Sequence, residues 1–121
     1  LPVPEDDGAC AHLVGRELPA VPLPATDGGV VRLDRATTPF TVVYAYPRTG
    51  RPDVPSPLGF DAIPGARGCT PQSCAYRDHH AELRALGARV FGLSTQSTAY
   101  QREMAERLHL PYPVLSDEAL E

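Results

Sequence analysis

Two cysteines five residues apart, Cys69 and Cys74, are the residues of this chain best suited to chemistry. Pro71 suits the first turn of a helix, because its missing N–H would have no partner there, and Thr70 can cap the helix just before it. Apolar residues follow at helical spacing, and Gly87 supplies a stop. We therefore expect Cys69 at a helix N-terminus, where free N–H groups and the helix dipole favour an anion and hence the reactive thiolate.

The same helix decides whether the two thiols can meet. A helical projection places Cys69 near the apolar side, and it places Cys74 with Arg77 and Asp78, opposite Leu83. Helical residues five apart have Cα atoms roughly 8.5 Å from each other, which exceeds the ~7 Å reach of a disulfide. A static disulfide is therefore not expected, whereas a transient one that requires the first turn to unwind is.

Composition indicates one domain over residues 1–121, without a cofactor, a bound metal or a membrane anchor. The net charge of −4 and the scattered arginines argue against nucleic acid, and no apolar run approaches membrane-spanning length. Three cysteines without a signal peptide favour a reducing cytoplasm, and Cys10, in a Pro- and acid-rich start, is interpreted as an incidental thiol. The chain opens on Leu1 and its last residues are typical of the start of another element. We therefore expect the C-terminal part of the domain to be missing.

The remaining pattern predicts an α/β fold. Residues 21–25 and 30–33 flank a good hairpin turn, and residues 40–46 are continuously apolar, as in a central strand covered on both faces. Further strands are predicted at 89–94 and 112–115. Between them, residues 98–101 have the form of a capping box that begins a helix. The order of hairpin, strand, helix, strand, helix and strand indicates helices that cross between parallel strands of a central, mostly parallel sheet.

Residues 47–68 interrupt this pattern with many prolines and glycines and no periodicity. A loop of this length in a compact domain is usually functional or disordered. Because it leads directly into Cys69, we expect it to form a wall or lid of the active site, although an interface role is also open.

With these elements in place, the chain resembles a peroxiredoxin, and most closely the peroxiredoxin Q/bacterioferritin comigratory protein group. The matching pieces are Gly68-Cys69-Thr70 with Cys74, Tyr76-Arg77-Asp78, Ala85-Leu86-Gly87-Ala88 and the stretch Leu110-Pro111-Tyr112-Pro113-Val114-Leu115-Ser116-Asp117.

The resemblance implies a thioredoxin-like fold and a thiol peroxidase. It implies that Cys69 is the peroxidatic cysteine and Cys74 the resolving one. The implied substrates are hydrogen peroxide or organic hydroperoxides, and the implied reductant is thioredoxin or a similar dithiol. We expect a monomer or a weak homodimer.

The active-site motif of the family, PxxxTxxC, is altered in this chain. Ala66 and Ala62 occupy the threonine and proline positions, and Pro47 resembles the family's proline, displaced by the long insertion. The hydroxyl is expected from Thr49 or Thr70, and Arg67 is a candidate for the positive charge, which the family takes from a later strand. These expectations complete the predicted set of site residues.

Two alternatives remain open on the sequence. A thiol/disulfide exchanger or redox sensor would explain the missing threonine, although such proteins usually carry Cys-x-x-Cys. A metal module built from Cys69, Cys74, His79 and His80 is remote, because zinc ligands normally come two to four residues apart and from separate knuckles. The histidines are better interpreted as a core-edge residue and a solvated neighbour.

Overall fold

The computed structural model describes residues 5–36 and 38–120. Strands β1 (Pro22–Pro24) and β2 (Val30–Arg32) form an antiparallel hairpin. Strands β3 (Phe40–Ala45), β4 (Ala88–Ser94) and β5 (Val114–Ser116) form a parallel sheet in the order β3-β4-β5. The predicted α/β architecture with a parallel sheet is therefore confirmed.

Helices connect the parallel strands. Helices α1 (Cys69–Asp78) and α2 (His80–Ala85) lie between β3 and β4, and α3 (Thr98–Arg107) lies between β4 and β5. Short 3-10 turns are formed by Ala11–Leu13, Leu33–Arg35, Phe60–Ala62 and Ala66–Gly68. The predicted order of hairpin, strand, helix, strand, helix and strand is observed.

The sheet has a different core on each face, because successive residues of a strand point to opposite sides. Val90 and Val114 belong to a cluster that also contains Cys69. Phe91 and Leu115, their neighbours in the chain, belong to a second cluster that includes residues of the hairpin. The cysteine helix therefore packs on the face of the sheet opposite to the hairpin.

The prediction that residues 40–46 form a central strand covered on both faces was wrong for the described part of the chain. Strand β3 pairs only with β4 there, and Phe40 is 63% exposed and Val43 37% exposed. Strand β4 takes the central place, since it hydrogen-bonds to β3 on one side and to β5 on the other.

The helix starts also differ from prediction. Helix α1 begins at Cys69, and Gly68, the residue before it, already has helical dihedral angles. Thr70 therefore lies inside the first turn and does not cap the helix. Helix α3 begins after Ser97, whose hydroxyl accepts the N–H of Tyr100, so residues 98–101 form no capping box.

The long helix expected between Thr70 and Gly87 is divided. His79 has φ −100° and ψ 9°, outside the α-helical region, and it separates α1 from α2. Its ring nitrogen Nδ1 lies 3.1 Å from a carboxylate oxygen of Glu82 in the first turn of α2. The resulting α1 is a separate ten-residue helix that carries both cysteines.

Candidate active site

Cys69 occupies the first position of helix α1, as its predicted role requires. Cys69 is 8% exposed and packs in the hydrophobic cluster with Tyr44, Tyr46 and Val90. The N–H groups of this first turn have no partners within the helix, and Gly68 offers no side-chain cap. The thiol therefore combines an apolar surrounding with the electropositive end of a helix.

A cavity of about 480 Å³ opens onto Cys69. Eight of its ten lining residues belong to the segment 47–68, and the other two are Cys69 and Thr70. The segment contributes Arg48, Gly50, Arg51, Pro52, Ser56, Phe60, Ala66 and Arg67. The expectation that this long loop forms a wall beside Cys69 agrees with this geometry.

Three arginines line the cavity, and only one of them was a predicted site residue. Arg67 pairs with Asp61 through its Nε at 2.8 Å, and Arg51 pairs with Asp53 at 3.1 Å. Among the residues described, Arg48 has no ion-pair or hydrogen-bond partner. Within the described part of the chain, Arg48 is therefore the cavity guanidinium whose charge no carboxylate offsets.

The two candidate threonines lie in different places. Thr70 is half-buried and lines the cavity, and its hydroxyl has no hydrogen-bond partner in the described part of the chain. Thr49 is buried away from the cavity lining, and its hydroxyl donates to Oε1 of Gln96 at 3.2 Å. Pro47 is exposed and lines a neighbouring depression instead. Of the two threonines, Thr70 is therefore the one that lines the cavity beside Cys69.

The base of the loop is tied to the folded core at several points. The amide of Gln96 donates to the carbonyl of Thr49 at 3.2 Å, and its Oε1 accepts the N–H of Thr49 at 2.9 Å. The guanidinium of Arg107 donates to the carbonyl of Gly50 at 3.1 Å. These bonds hold residues 49 and 50, and with them the neighbouring Arg48, against the start and the end of α3.

Cys74 is half-buried on the same helix and does not line the cavity. Helix α1 is continuous from Cys69 through Cys74, so the two Cα atoms keep the roughly 8.5 Å spacing that forbids a disulfide. All three cysteines are free thiols, and Cys10 is exposed in the N-terminal segment.

Three buried hydroxyls converge on helix α1 between the cysteines; Tyr44, Ser73 and Tyr112 are called the hydroxyl cluster below. Ser73 Oγ donates to the carbonyl of Cys69 at 3.0 Å, and Tyr112 Oη donates to the carbonyl of Ser73 at 2.7 Å. Tyr44 Oη lies 3.1 Å from Ser73 Oγ and 3.0 Å from Tyr112 Oη. Burial raises the pKa of both tyrosines, so the cluster remains protonated in neutral solution.

Arg48, Arg51 and the hydroxyl cluster are not among the site residues predicted from the sequence. The two arginines carried a usable signal, because they directly follow the strand that ends at the predicted active-site loop. Tyr44 and Tyr112 are 68 residues apart, and their meeting depends on the sheet register, in which Tyr44 lies beside Gly92 and Gly92 beside Val114.

The histidines have the predicted structural environments. His79 is exposed, and His80 is half-buried with its ring centroid 5.8 Å from that of Tyr112. Residues 5–36 and 38–120 contain no group of three or more His, Cys, Asp or Glu residues that could hold a metal ion. None of their helices has the length and apolar character needed to cross a membrane.

Comparison with known proteins gives this geometry a family. Residues 13–121 match the Redoxin family model. Peroxiredoxin bcp1 of Schizosaccharomyces pombe is 31% identical over 105 residues, which are 86% of this chain and 46% of that protein. A putative chloroplastic peroxiredoxin Q from Oryza sativa subsp. indica is 33% identical over 104 residues, or 86% of this chain and 41% of the relative.

A solved structure agrees with these relatives. The crystal structure of peroxidoxin BcpB from Mycobacterium tuberculosis superimposes with a TM-score of 0.67 at 28% identity, covering 86% of this chain and 58% of that one. The chain belongs to the redoxin family and has its thioredoxin-like fold. Within that family it is a member of the peroxiredoxin Q/bacterioferritin comigratory protein group, and it spans about half the length of the curated relatives it matches.

Proposed function

We propose that this chain carries the reacting thiols of a thiol peroxidase that reduces hydrogen peroxide or organic hydroperoxides. The observation that carries the proposal is the position of Cys69, at the start of α1 and on the cavity lined by Arg48, Arg51 and Arg67. Positive charge and free N–H groups at this point stabilise the thiolate and the negative charge that develops on the departing oxygen of the peroxide. Family membership supports the same reaction.

The first chemical step belongs to Cys69. Its thiolate attacks one peroxide oxygen, an S–O bond forms and the O–O bond breaks, and the departing oxygen takes a proton to leave as water or an alcohol. The product is a sulfenic acid on Cys69. We assign the Thr70 hydroxyl as a hydrogen-bond donor to the peroxide, and the support is that it lines the same cavity and has no partner among the described residues.

The second step belongs to Cys74. Its thiolate attacks the sulfur of the sulfenic acid, the S–S bond forms, and the S–O bond breaks to release hydroxide, which is protonated to water. Helix α1 must open locally first, because an intact helix holds the two residues too far apart. A dithiol such as thioredoxin then reduces the disulfide by exchange. We also propose a reducing, cytoplasmic setting and a monomer or weak homodimer.

Peroxide consumption in the presence of a dithiol reductant tests this function. Cys69→Ser is expected to abolish consumption, whereas Cys10→Ser, which removes an exposed thiol, is expected to leave it unchanged. Stopped-flow oxidation of the reduced protein by hydrogen peroxide and by an organic hydroperoxide would report the first step directly. Consumption that persists in Cys69→Ser would refute the assignment.

A slower thiol/disulfide exchanger is the competing function. The observation that favours it is Ala66, which lines the cavity three residues before Cys69, where the family has a threonine hydroxyl. This function predicts rapid exchange of Cys69 with small disulfides together with slow reaction with peroxide. The ratio of the two rate constants in one preparation separates the alternatives.

A further inference from the structure

We infer that the hydroxyl cluster of Tyr44, Ser73 and Tyr112 is a latch on helix α1 that sets how fast Cys74 resolves oxidised Cys69. The inference rests on the proposed function and adds a control point to it. None of the three side chains lines the cavity at Cys69, so the cluster acts on the helix and not on the peroxide.

The protons of the cluster show where it holds the helix. Each hydroxyl has a single proton, so three protons serve four short contacts. Ser73 donates its proton to the carbonyl of Cys69, and Tyr112 donates to the carbonyl of Ser73. The proton of Tyr44 is left to bond either Ser73 Oγ or Tyr112 Oη. Two of the three protons therefore bind backbone carbonyls of α1.

These two carbonyls lie within the segment that must move. Ser73 lies between the cysteines, one helical turn after Cys69. Its hydroxyl bonds the carbonyl of Cys69 and is also in contact with Tyr44 Oη. Unwinding this turn breaks the Ser73–Cys69 bond and pulls the Ser73 carbonyl away from Tyr112. Tyr112 is held on the other side by its position next to β5, and Ser73 is fully buried, so water does not readily replace the lost bonds.

The latch decides between two fates of the sulfenic acid. Attack by Cys74 forms the disulfide and releases water, whereas attack on a second peroxide forms a sulfinic acid and releases water or an alcohol. The first fate needs the open helix and the second occurs in the closed one. A tight latch therefore slows resolution and leaves Cys69 exposed to overoxidation for longer.

Tyr112→Phe tests the latch, because it removes one hydroxyl and keeps the ring. The Ser73 carbonyl retains the intrahelical bond that an α-helix provides, so no buried acceptor is stranded. Loss of one such hydrogen bond is expected to accelerate disulfide formation about 2- to 12-fold in a single turnover with stoichiometric peroxide. The second-order rate of the preceding oxidation should stay unchanged, and the sulfinic acid fraction at high peroxide should fall in proportion.

Tyr100→Phe is the matched control. The Tyr100 hydroxyl is also buried but has no hydrogen-bond partner among residues 5–36 and 38–120, so its removal should leave the resolution rate as in the wild type. Resolution in Tyr112→Phe that is equal to or slower than in this control would overturn the latch. If Tyr112→Phe does not fold, Ser73→Ala makes the same test, since it removes the donor to Cys69 and an acceptor of Tyr44.

Amide hydrogen exchange separates failure of the latch from failure of the proposed function. Reduced Tyr112→Phe should exchange the amides of residues 72–74 faster than Tyr100→Phe, with no peroxide present. Faster exchange in a protein that never forms a sulfenic acid would support the latch and refute the peroxidase. Equal exchange would refute the latch even in an active peroxidase.

Discussion

The hydroxyl of Tyr44 lies directly over Gly92 on the neighbouring strand. A Cβ atom built on Gly92 would be 2.8 Å from Tyr44 Oη, 2.9 Å from its Cζ and 3.3 Å from a methyl group of Val114. Tyr44 and Gly92 are register partners in the parallel pairing of β3 and β4. The absent side chain at Gly92 thus makes the room in which Tyr44 reaches Ser73 and Tyr112.

Gly92→Ala is expected to displace the Tyr44 ring and to lower the free energy of unfolding by about 1–3 kcal/mol, the usual cost of overpacking a core. Chemical denaturation measures this change. Gly50→Ala is the control, because a Cβ there meets nothing within 4 Å and the backbone angle is ordinary. A Gly92→Ala protein as stable as Gly50→Ala would show that the ring relaxes without cost.

The sequence predicted the order of the elements well, because it depends on local signals. The turn at Asp27, the apolar run before Pro47 and the cysteine helix with its N-terminal Cys69 could all be identified by pattern. The position of β3 within the sheet could not be identified by pattern. Apolar residues on both faces of a strand indicate burial, but they do not show whether the strand pairs with one neighbour or with two. Likewise, no local signal marked the break at His79.

The predicted site residues that share the cavity are close together in the sequence. Contacts between residues that are far apart in the sequence were not predicted. Cys69, Thr70 and Arg67 are contiguous or nearly so, and they share the cavity. Thr49 has the right chemistry, but its hydroxyl is bound to Gln96, 47 residues away. In the sequence, Ser73 has the features of an ordinary helical serine. Its role depends on the folded sheet, whose parallel register brings Tyr44 and Tyr112 into contact with it.

High pH should loosen the tyrosine-rich core. Burial raises the pKa of Tyr46 to about 12 and also raises the pKa of Tyr44 and Tyr112. A folded-state pKa above the unfolded value of about 10 gives stability that is present below pH 10 and is lost as the pH rises further. Denaturation curves from pH 8 to 12 should therefore show falling stability above pH 10.

Tyr112→Phe should reduce this alkaline loss, since one of the three groups no longer titrates. Ultraviolet absorbance of tyrosinate, followed in parallel, identifies the ionisation. A stability that is flat across pH 10, or a slope identical in wild type and Tyr112→Phe, would contradict the assignment of the loss to these buried hydroxyls.

Arg48 should contribute to the reactivity of Cys69 more than its neighbours Arg51 and Arg67, whose charges are offset by Asp53 and Asp61. Arg48→Gln is expected to slow oxidation by hydrogen peroxide about 2- to 10-fold, because one positive charge leaves the cavity. The rate should also become less sensitive to salt. Arg16→Gln, an exposed residue of the N-terminal segment, is the control for a change in net charge.

The loop 47–68 should matter to kinetics more than to stability. Replacing residues 54–60 by a short Gly/Ser linker removes Ser56 and Phe60 from the cavity wall. It keeps Asp53 and Asp61 as the partners of Arg51 and Arg67, and it keeps the bonds of Thr49 and Gly50 to the core. We expect a changed rate of Cys69 oxidation with a small shift in melting temperature. A large loss of melting temperature with unchanged kinetics per folded molecule would make the loop a packing element.

Oxidation should disorder the start of α1. A Cys69–Cys74 disulfide needs Cα atoms within about 7 Å, whereas the reduced helix holds them roughly 8.5 Å apart. The first turn must therefore remain open in the disulfide form, and amide exchange over residues 69–76 should be faster there than in the reduced protein. Peptide mapping of the same samples identifies the bond.

Cys74→Ser provides the matched state for this comparison, because it should accept the first oxidation and then stop at the sulfenic acid. Its α1 should stay closed after one equivalent of peroxide, and further peroxide should carry Cys69 to the sulfinic acid. Fast exchange in the disulfide form together with slow exchange in oxidised Cys74→Ser assigns the opening to the bond itself. A Cys69–Cys74 bond formed without faster exchange would show that the helix accommodates it without unwinding.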